Sequence, residues 1–196
     1  MLILAFAGWA QAASTTYQLD FGPGNSPLAD GFEAGELPTL EPVTDASFGV
    51  SPVGGGKPIE IAFKGDVSGY GLGDETKPLT TDGVFTVGSK HDVPTEIAFT
   101  VSGLPPGSMV TFSAIEAWNG RGRAAYISLG DSGIVDLAGP ENAEGDTAPP
   151  PEFIVVGENL TVPASGVLLG VFANTDGTNF RPEGQCGAFR IVVETP

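Results

Sequence analysis

Two loops of this chain combine the aromatic, amide and guanidinium groups with which proteins bind sugars. The first loop is Trp118-Asn119-Gly120-Arg121-Gly122-Arg123, and the second is Asn174-Thr175-Asp176-Gly177-Thr178-Asn179-Phe180-Arg181-Pro182-Glu183. An aromatic ring stacks on the C–H face of a sugar, while amides and guanidinium groups hydrogen-bond to its hydroxyls. The predicted ligand-binding residues are Trp118, Asn119, Arg121, Asn179 and Arg181.

The arginine content of these loops leaves a second interpretation open. The two loops hold three of the four arginines in a chain with 24 acidic residues. In the simpler interpretation, the arginines neutralise nearby carboxylates and Trp118 packs at the edge of the fold. The residue types alone do not distinguish a ligand site from such local ion pairs.

Two aspartates are candidates for a structural Ca²⁺ site. Asp20 lies in an alternating apolar stretch and Asp176 lies in the second loop. Hard cations such as Ca²⁺ take several oxygen ligands, so either carboxylate could join backbone carbonyls around the ion. No loop has a regular Asp-x-Asp-x-Asp spacing, and the prediction therefore rests on these two residues.

The sequence predicts no catalytic site. Gly130-Asp131-Ser132 follows an apolar strand and in that respect resembles the nucleophile block of SGNH-type esterases. A serine nucleophile needs a positioned base, but the single histidine, His91, precedes this serine and none follows it. The segment is therefore predicted to be a β-turn. Cys186 is the single cysteine, so an intramolecular disulfide is excluded.

The elements that position these residues are predicted to be short strands. Apolar residues alternate with a period of two in several segments, of which 95–101 and 109–115 are the clearest. These two segments flank a corner, Leu104-Pro105-Pro106-Gly107, and the second of them leads directly to Trp118. Further strands are predicted at 17–21, 47–50, 59–63, 83–87, 123–129, 134–137, 153–156, 160–162, 167–173 and 188–193. The segments 22–56, apart from the strand at 47–50, and 65–81 are predicted to be irregular.

Composition agrees with this pattern. The chain has 29 glycines and 17 prolines in 196 residues, and its apolar runs are short and separated by turn residues. No segment of ten residues shows helical periodicity free of both Gly and Pro. The sequence therefore predicts an all-β fold, a two-sheet antiparallel β-sandwich, as one domain spanning 14–196.

Charge and the N-terminal residues bear on partners and location. The net charge of −16 excludes nucleic acid as a partner, because nucleic-acid binders need clustered Lys and Arg. Residues 1–13 resemble the end of a secretory signal peptide, with an apolar run followed by Ala10-Gln11-Ala12 as a small-x-small cleavage pattern. The alternative is a buried N-terminal strand. No membrane span is predicted, and the expected location is secreted or at the cell surface.

Three short motifs resemble a known group of domains. Leu19-Asp20-Phe21-Gly22-Pro23-Gly24 opens the domain, Val101-Ser102-Gly103-Leu104-Pro105-Pro106-Gly107 lies in its middle, and Cys186-Gly187-Ala188-Phe189-Arg190-Ile191 is near its end. Together they resemble the galactose-binding-like jelly rolls of secreted bacterial proteins. The resemblance implies a β-sandwich jelly roll with a carbohydrate-binding role.

Two functions follow as expectations. The first is a secreted, non-catalytic carbohydrate-binding module whose partner is a polysaccharide or a cell-surface glycan. The alternative is a structural or adhesive cell-surface module that binds a protein partner or a second copy of itself. The two differ in a simple respect, since only the first requires sugar for binding.

Overall fold

The computed structural model describes residues 13–71, 82–86, 93–117, 123–138, 152–181 and 183–196. All regular elements within these residues are β-strands. In chain order they are β1 (Ala13–Gly22), β2 (Glu33–Glu36), β3 (Val43–Thr44), β4 (Ser47–Val50), β5 (Ile59–Lys64), β6 (Asp66–Gly71), β7 (Asp82–Thr86), β8 (Glu96–Ser102), β9 (Met109–Ile115), β10 (Tyr126–Leu129), β11 (Val135–Asp136), β12 (Ile154–Thr161), β13 (Val167–Ala173), β14 (Gln185–Cys186) and β15 (Ala188–Thr195).

The strands form three sheets that pack as an all-β sandwich, and this confirms the predicted fold class. The five-stranded sheet has the order β12-β9-β15-β1-β2, and the six-stranded sheet has the order β11-β10-β13-β8-β5-β4. A smaller sheet with the order β14-β7-β6-β3 is present in addition to the two sheets that the sequence predicts. Among these strands, pairing is antiparallel apart from β1 with β2, which run parallel.

A cluster of phenylalanines joins the two large sheets. Each sheet contributes alternate residues of its strands, because period-two alternation places those side chains on one face. The buried rings are Phe21, Phe112 and Phe189 from the five-stranded sheet and Phe63, Phe99 and Phe172 from the six-stranded sheet. Contacting ring centroids lie from 4.9 Å (Phe112 to Phe189) to 6.3 Å (Phe63 to Phe189) apart. These distances are those of favourable edge-on and offset ring pairs.

The Pro-Pro-Gly corner carries the chain from one sheet to the other. β8 lies in the six-stranded sheet and β9 in the five-stranded sheet, so the corner crosses the sandwich. Gly103 and Gly107 have φ angles of 82° and 79°, a left-handed conformation that glycine adopts without steric cost. Leu104 between them is buried in the core. The corner therefore anchors both layers.

The segments predicted to be irregular contain strands that lack an alternating apolar pattern. β2 and β3 lie within 22–56, and β6 lies within 65–81. In β6, a Cβ at Gly69 would come 2.6 Å from the carbonyl oxygen of Leu37, so close backbone packing takes the place of side-chain packing. The predicted strands 153–156 and 160–162 form one strand, β12, with register shifts near Asn159, whose φ is 56°.

The N-terminal prediction lies largely outside the described residues. Residues 1–12, which carry the predicted signal peptide, are not described, and β1 begins at Ala13. Among the residues that the structure does describe, no helix is long and apolar enough to cross a membrane.

Candidate functional site

The second predicted loop leaves the six-stranded sheet at the end of β13 and is tied down at its base. Asn174 is buried, and its side chain accepts a hydrogen bond from the Thr95 amide at 2.7 Å and donates one to the Val93 carbonyl at 3.2 Å. Thr175 and Phe180 then pair as an isolated β-bridge, which closes the loop tip between them. The loop is thus a closed hairpin turn on a fixed base.

Asp176 organises the tip of this loop. Its Oδ1 accepts the amides of Thr178 at 2.8 Å and Asn179 at 2.5 Å, and its Oδ2 accepts the Asn179 side-chain amide at 2.8 Å. The hydrogen bonds from Asn179 and Thr178 lower the pKa of the Asp176 carboxyl below its ordinary value. The structure therefore brings together two sequence-predicted residues, Asp176 and Asn179, and gives both carboxylate oxygens a partner within the loop.

Arg181 is engaged with protein groups on three sides. Its guanidinium forms a two-point ion pair with Asp136, Nη1 to Oδ1 at 2.5 Å and Nη2 to Oδ2 at 2.6 Å. Nη1 also donates to the carbonyl of Ala124 at 3.1 Å, and Cζ lies 4.6 Å from the centroid of the Tyr126 ring. These contacts correspond to the simpler interpretation of the loop arginines, in which they neutralise nearby carboxylates.

Trp118, Asn119 and Arg121 lie outside the described residues, but the C-terminal flank of their loop is described. Arg123 forms an ion pair with Glu183, Nη1 to Oε2 at 2.8 Å, and Glu183 also accepts the Gln185 side-chain amide at 2.6 Å. The backbone groups of the two flanks also pair, since the Gln185 amide donates to the Arg123 carbonyl at 2.8 Å and the Ala125 amide to the Gln185 carbonyl at 2.9 Å.

The flanks of the two predicted loops therefore run side by side. The Arg181 contact to Ala124 joins the same two segments. A ligand site that used both loops requires this proximity, and loops at opposite ends of the sandwich would have excluded it. We refer to the described parts of these segments, 123–126 and 174–185 without Pro182, as the paired loops.

Phe180 is a candidate binding residue that the sequence prediction omitted. Its side chain is 40% exposed, although it lies between Asn179 and Arg181 in a β-bridge. An exposed aromatic ring on a closed loop offers the C–H stacking surface that sugars use. The sequence does carry a signal for it, because Phe180 is the single aromatic residue within the second loop.

Asp20 lies in a different part of the fold. Its side chain is buried and its Oδ2 accepts the Ala29 amide at 2.9 Å. It lines a small open pocket together with Pro23, Ser26 and Glu36. Within the described ranges, no three His, Cys, Asp or Glu side chains converge to hold a metal ion. A Ca²⁺ site at Asp20 or Asp176 thus stays a prediction, with these residues on separate elements.

The esterase-like segment forms the predicted turn between β10 and β11. Gly130 has a φ of 62°, and the Ser132 hydroxyl oxygen accepts the Leu129 amide at 2.8 Å. The Ser132 amide in turn donates to the Leu129 carbonyl at 3.1 Å. These bonds place the serine in a turn-closing role.

No protein-family model, curated protein or solved structure matches this chain. The part of the jelly-roll resemblance that stands is the all-β sandwich itself. Among the described residues, the paired loops combine an exposed aromatic ring, an amide and two guanidinium groups.

Proposed function

We propose that the chain is a secreted, non-catalytic carbohydrate-binding β-sandwich whose sugar site is at the paired loops. The observation that carries the proposal is the exposed Phe180 ring beside Asn179, on a loop braced by Asp176 and Arg181. In this site, Phe180 stacks on the sugar ring and Asn179 hydrogen-bonds to its hydroxyls. Trp118, Asn119 and Arg121, which precede the described flank at Arg123 in the sequence, are included in the proposal as further ligand contacts.

The bracing supports binding because a fixed loop loses little conformational entropy when a ligand arrives. The Asp176 hydrogen bonds fix the backbone of Thr178 and Asn179, and the Arg181 ion pair ties the loop to β11. Arg181 therefore acts as a positioning residue. The stacking surface and the amide are presented to solvent without a rearrangement.

Affinity electrophoresis in gels that contain soluble polysaccharides, together with a glycan array, tests the proposal. The wild-type chain is expected to be retarded by at least one neutral polysaccharide. Phe180→Ala is expected to reduce retention by about tenfold, since stacking of this kind contributes on the order of 1–1.5 kcal/mol. Trp118→Ala is expected to reduce it as well.

Leu169→Ala is the matched control for Phe180→Ala. Leu169 is 68% exposed in β13, so the variant also removes exposed apolar surface from the same sheet. It is expected to bind like the wild type. Failure of every polysaccharide to retard the wild-type chain would contradict the proposal, as would retention that is unchanged in both aromatic variants.

The outer face of the six-stranded sheet favours the alternative of an adhesive module. In its two central strands, the outward residues Ala98, Thr100, Leu169 and Val171 are uncharged and at least partly exposed, and Glu96 at the start of β8 adds one charge to this side. Two copies of a chain with a net charge of −16 repel each other least at a face with few charges. Sedimentation that depends on protein concentration, and is abolished by Leu169→Lys without any effect of sugar, would favour this alternative.

A further inference from the structure

An arginine on the outer face of the five-stranded sheet has a setting unlike that of the other described arginines. Arg190 lies in the central strand β15, where its neighbours Phe189 and Ile191 point into the core. Its Cζ lies 4.0 Å from the centroid of the Phe153 ring. Phe153 in turn stacks on Phe32, with ring centroids 6.1 Å apart and planes 19° from parallel.

The two rings come from opposite edges of this sheet. Phe32 immediately precedes β2 and Phe153 immediately precedes β12, and β2 and β12 are the two edge strands. The Gln18 side chain, which is registered opposite Arg190, donates to the Gly31 carbonyl at 3.3 Å and so holds the backbone next to Phe32. All three side chains of the stack are partly exposed.

The guanidinium of Arg190 has no ion pair or side-chain hydrogen bond to the rest of the described chain. Arg123 and Arg181 each pair with a carboxylate at 2.8 Å or less. The Nε atom of Arg190 is moreover buried without a hydrogen-bond partner among the described residues. In a chain with 24 acidic and 8 basic residues, an arginine stacked on a ring rather than paired with a carboxylate is unexpected.

We propose that Arg190 binds the carboxylate of an acidic sugar, a hexuronate, at this stack. With Nε covered, the donors that remain for a ligand are the Nη groups, and two parallel N–H groups match the two oxygens of a carboxylate. The Phe153 ring holds the guanidinium plane in position by a cation–π contact. The Phe32 ring, which stacks on Phe153 and is partly exposed, adds aromatic surface for the C–H face of the sugar.

The ligand class rests on the proposed carbohydrate-binding function, but the site is separate from the paired loops. A hexuronate is favoured over a neutral sugar because a neutral hydroxyl leaves the guanidinium charge uncompensated. It is favoured over a simple carboxylate because the Phe32 surface adds contact area that acetate cannot use.

Calorimetric titration with galacturonate, and with galactose as the matched neutral sugar, tests the proposal on the full chain. Galacturonate is expected to bind with a dissociation constant in the millimolar range or below, and galactose about tenfold more weakly at this site. Arg190→Gln is expected to weaken galacturonate binding by about tenfold. Lys64→Gln, which removes an exposed cation on the other large sheet, is the control and is expected to bind normally.

Three results would overturn the proposal: galacturonate and galactose binding equally, Arg190→Gln binding like the wild type, or no saturable galacturonate binding up to about 10 mM. If Arg190→Gln fails to fold, Arg190→Lys replaces it, because lysine keeps the charge but lacks the planar fork.

Phe180→Ala separates the two sites, since this variant is expected to lose binding of neutral polysaccharide while it keeps binding of galacturonate. If the wild-type chain binds no neutral polysaccharide, the function proposed for the paired loops is contradicted. The galacturonate titrations of the wild type and of Arg190→Gln then still decide the Arg190 site.

Discussion

Arg181 and Asp136 meet in a two-point ion pair across 45 residues of sequence, and this pair ties the second loop to β11. The Arg181 side chain is 17% exposed and the Asp136 side chain 43%. Burial lowers the pKa of Arg181, but the hydrogen bonds and charge of Asp136 outweigh it and raise the pKa above its ordinary value. The Arg181 guanidinium therefore stays charged, and its pair with Asp136 holds the end of the second loop against β11.

Breaking this pair is expected to destabilise the chain. Arg181→Ala leaves the Asp136 carboxylate without its partner, so the free energy of unfolding is expected to fall by about 1–3 kcal/mol in urea titrations. Lys64→Ala is the control, because its ion pair to Asp45 is long, at 3.9 Å, and exposed at both ends. That variant is expected to change stability by less than about 0.5 kcal/mol.

A double-mutant cycle separates the pair from other effects of the substitutions. Arg181→Ala and Asp136→Asn, alone and combined, are expected to give a coupling free energy of about 1–2 kcal/mol. Additive effects of the two substitutions would show that the pair does not stabilise the fold, and the bracing role assigned to Arg181 would fail with it.

The sequence predicted the alternating strands well because their pattern reflects burial directly. β9 and β13 occur at the predicted residues, and the apolar faces predicted for β1 and β5 are buried. β6 could not be predicted in this way, since its glycines serve close backbone approach and leave no apolar pattern. β2 was missed for a related reason, as its sequence Glu-Ala-Gly-Glu has no alternating apolar face.

The candidate site was predictable in composition but not in contacts. The sequence shows that 174–183 is rich in polar groups and contains an aromatic residue. The partner of Arg181, however, is Asp136, which lies in β11 and pairs with β10. Pairings over 45 residues depend on the sheet order, which residue types do not encode locally. The Arg190 stack was missed for the same reason. Phe32, Phe153 and Arg190 are far apart in the sequence and come together only in the folded five-stranded sheet.

Gly170 is expected to be intolerant of any side chain. A Cβ at this position would lie 2.4 Å from the Phe99 ring and 2.6 Å from the Ser128 carbonyl oxygen. Gly170→Ala is therefore expected to destabilise the chain by roughly 1–3 kcal/mol in thermal or urea unfolding, since the buried ring must move. Gly49→Ala in edge strand β4 is the control, because no atom lies within 4 Å of its Cβ position.

Gly49→Ala is expected to be neutral or to stabilise by up to about 1 kcal/mol, because alanine loses less backbone entropy on folding than glycine does. Equal stability of Gly170→Ala and Gly49→Ala would contradict the tight packing between β13 and the Phe99 ring.

The Cys186 thiol is expected to be unreactive in the native chain. It is fully buried, and its Sγ lies 3.3 Å and 3.5 Å from the carbonyl oxygens of Ile115 and Ala188. Burial raises its pKa well above the ordinary value. Alkylation followed by mass spectrometry is expected to label Cys186 only as fast as the chain unfolds. Rapid, complete labelling of the native chain near pH 8 would contradict the buried position.

The same shift predicts a loss of stability at high pH. The unfolded thiol ionises near pH 8.5 while the folded thiol stays protonated, so the unfolded state binds fewer protons above that pH. Stability is therefore expected to decrease as the pH rises above about 8.5, and Cys186→Ala is expected to reduce this decrease. An identical pH dependence in the variant would assign the effect to other groups.

The Asp176 turn predicts a second pH dependence, at the acidic end. Because its pKa is lowered in the folded loop, the stabilisation from this carboxylate is fully present above the ordinary aspartate pKa. It is lost as the pH falls through the lowered value, where protonation weakens the bonds from Thr178 and Asn179. The amide resonances of these two residues are expected to titrate with a midpoint below that of an ordinary aspartate.

Asp176→Ala is the matched variant for this titration, because it removes the carboxylate and leaves the loop sequence otherwise intact. It is expected to abolish the acid titration of the Thr178 and Asn179 amides and to weaken polysaccharide retention, since Asn179 loses its partner. A midpoint at or above the ordinary aspartate value would show that the carboxylate does not hold the loop in solution. Retention that is unchanged in Asp176→Ala would separate sugar binding from the order of this loop.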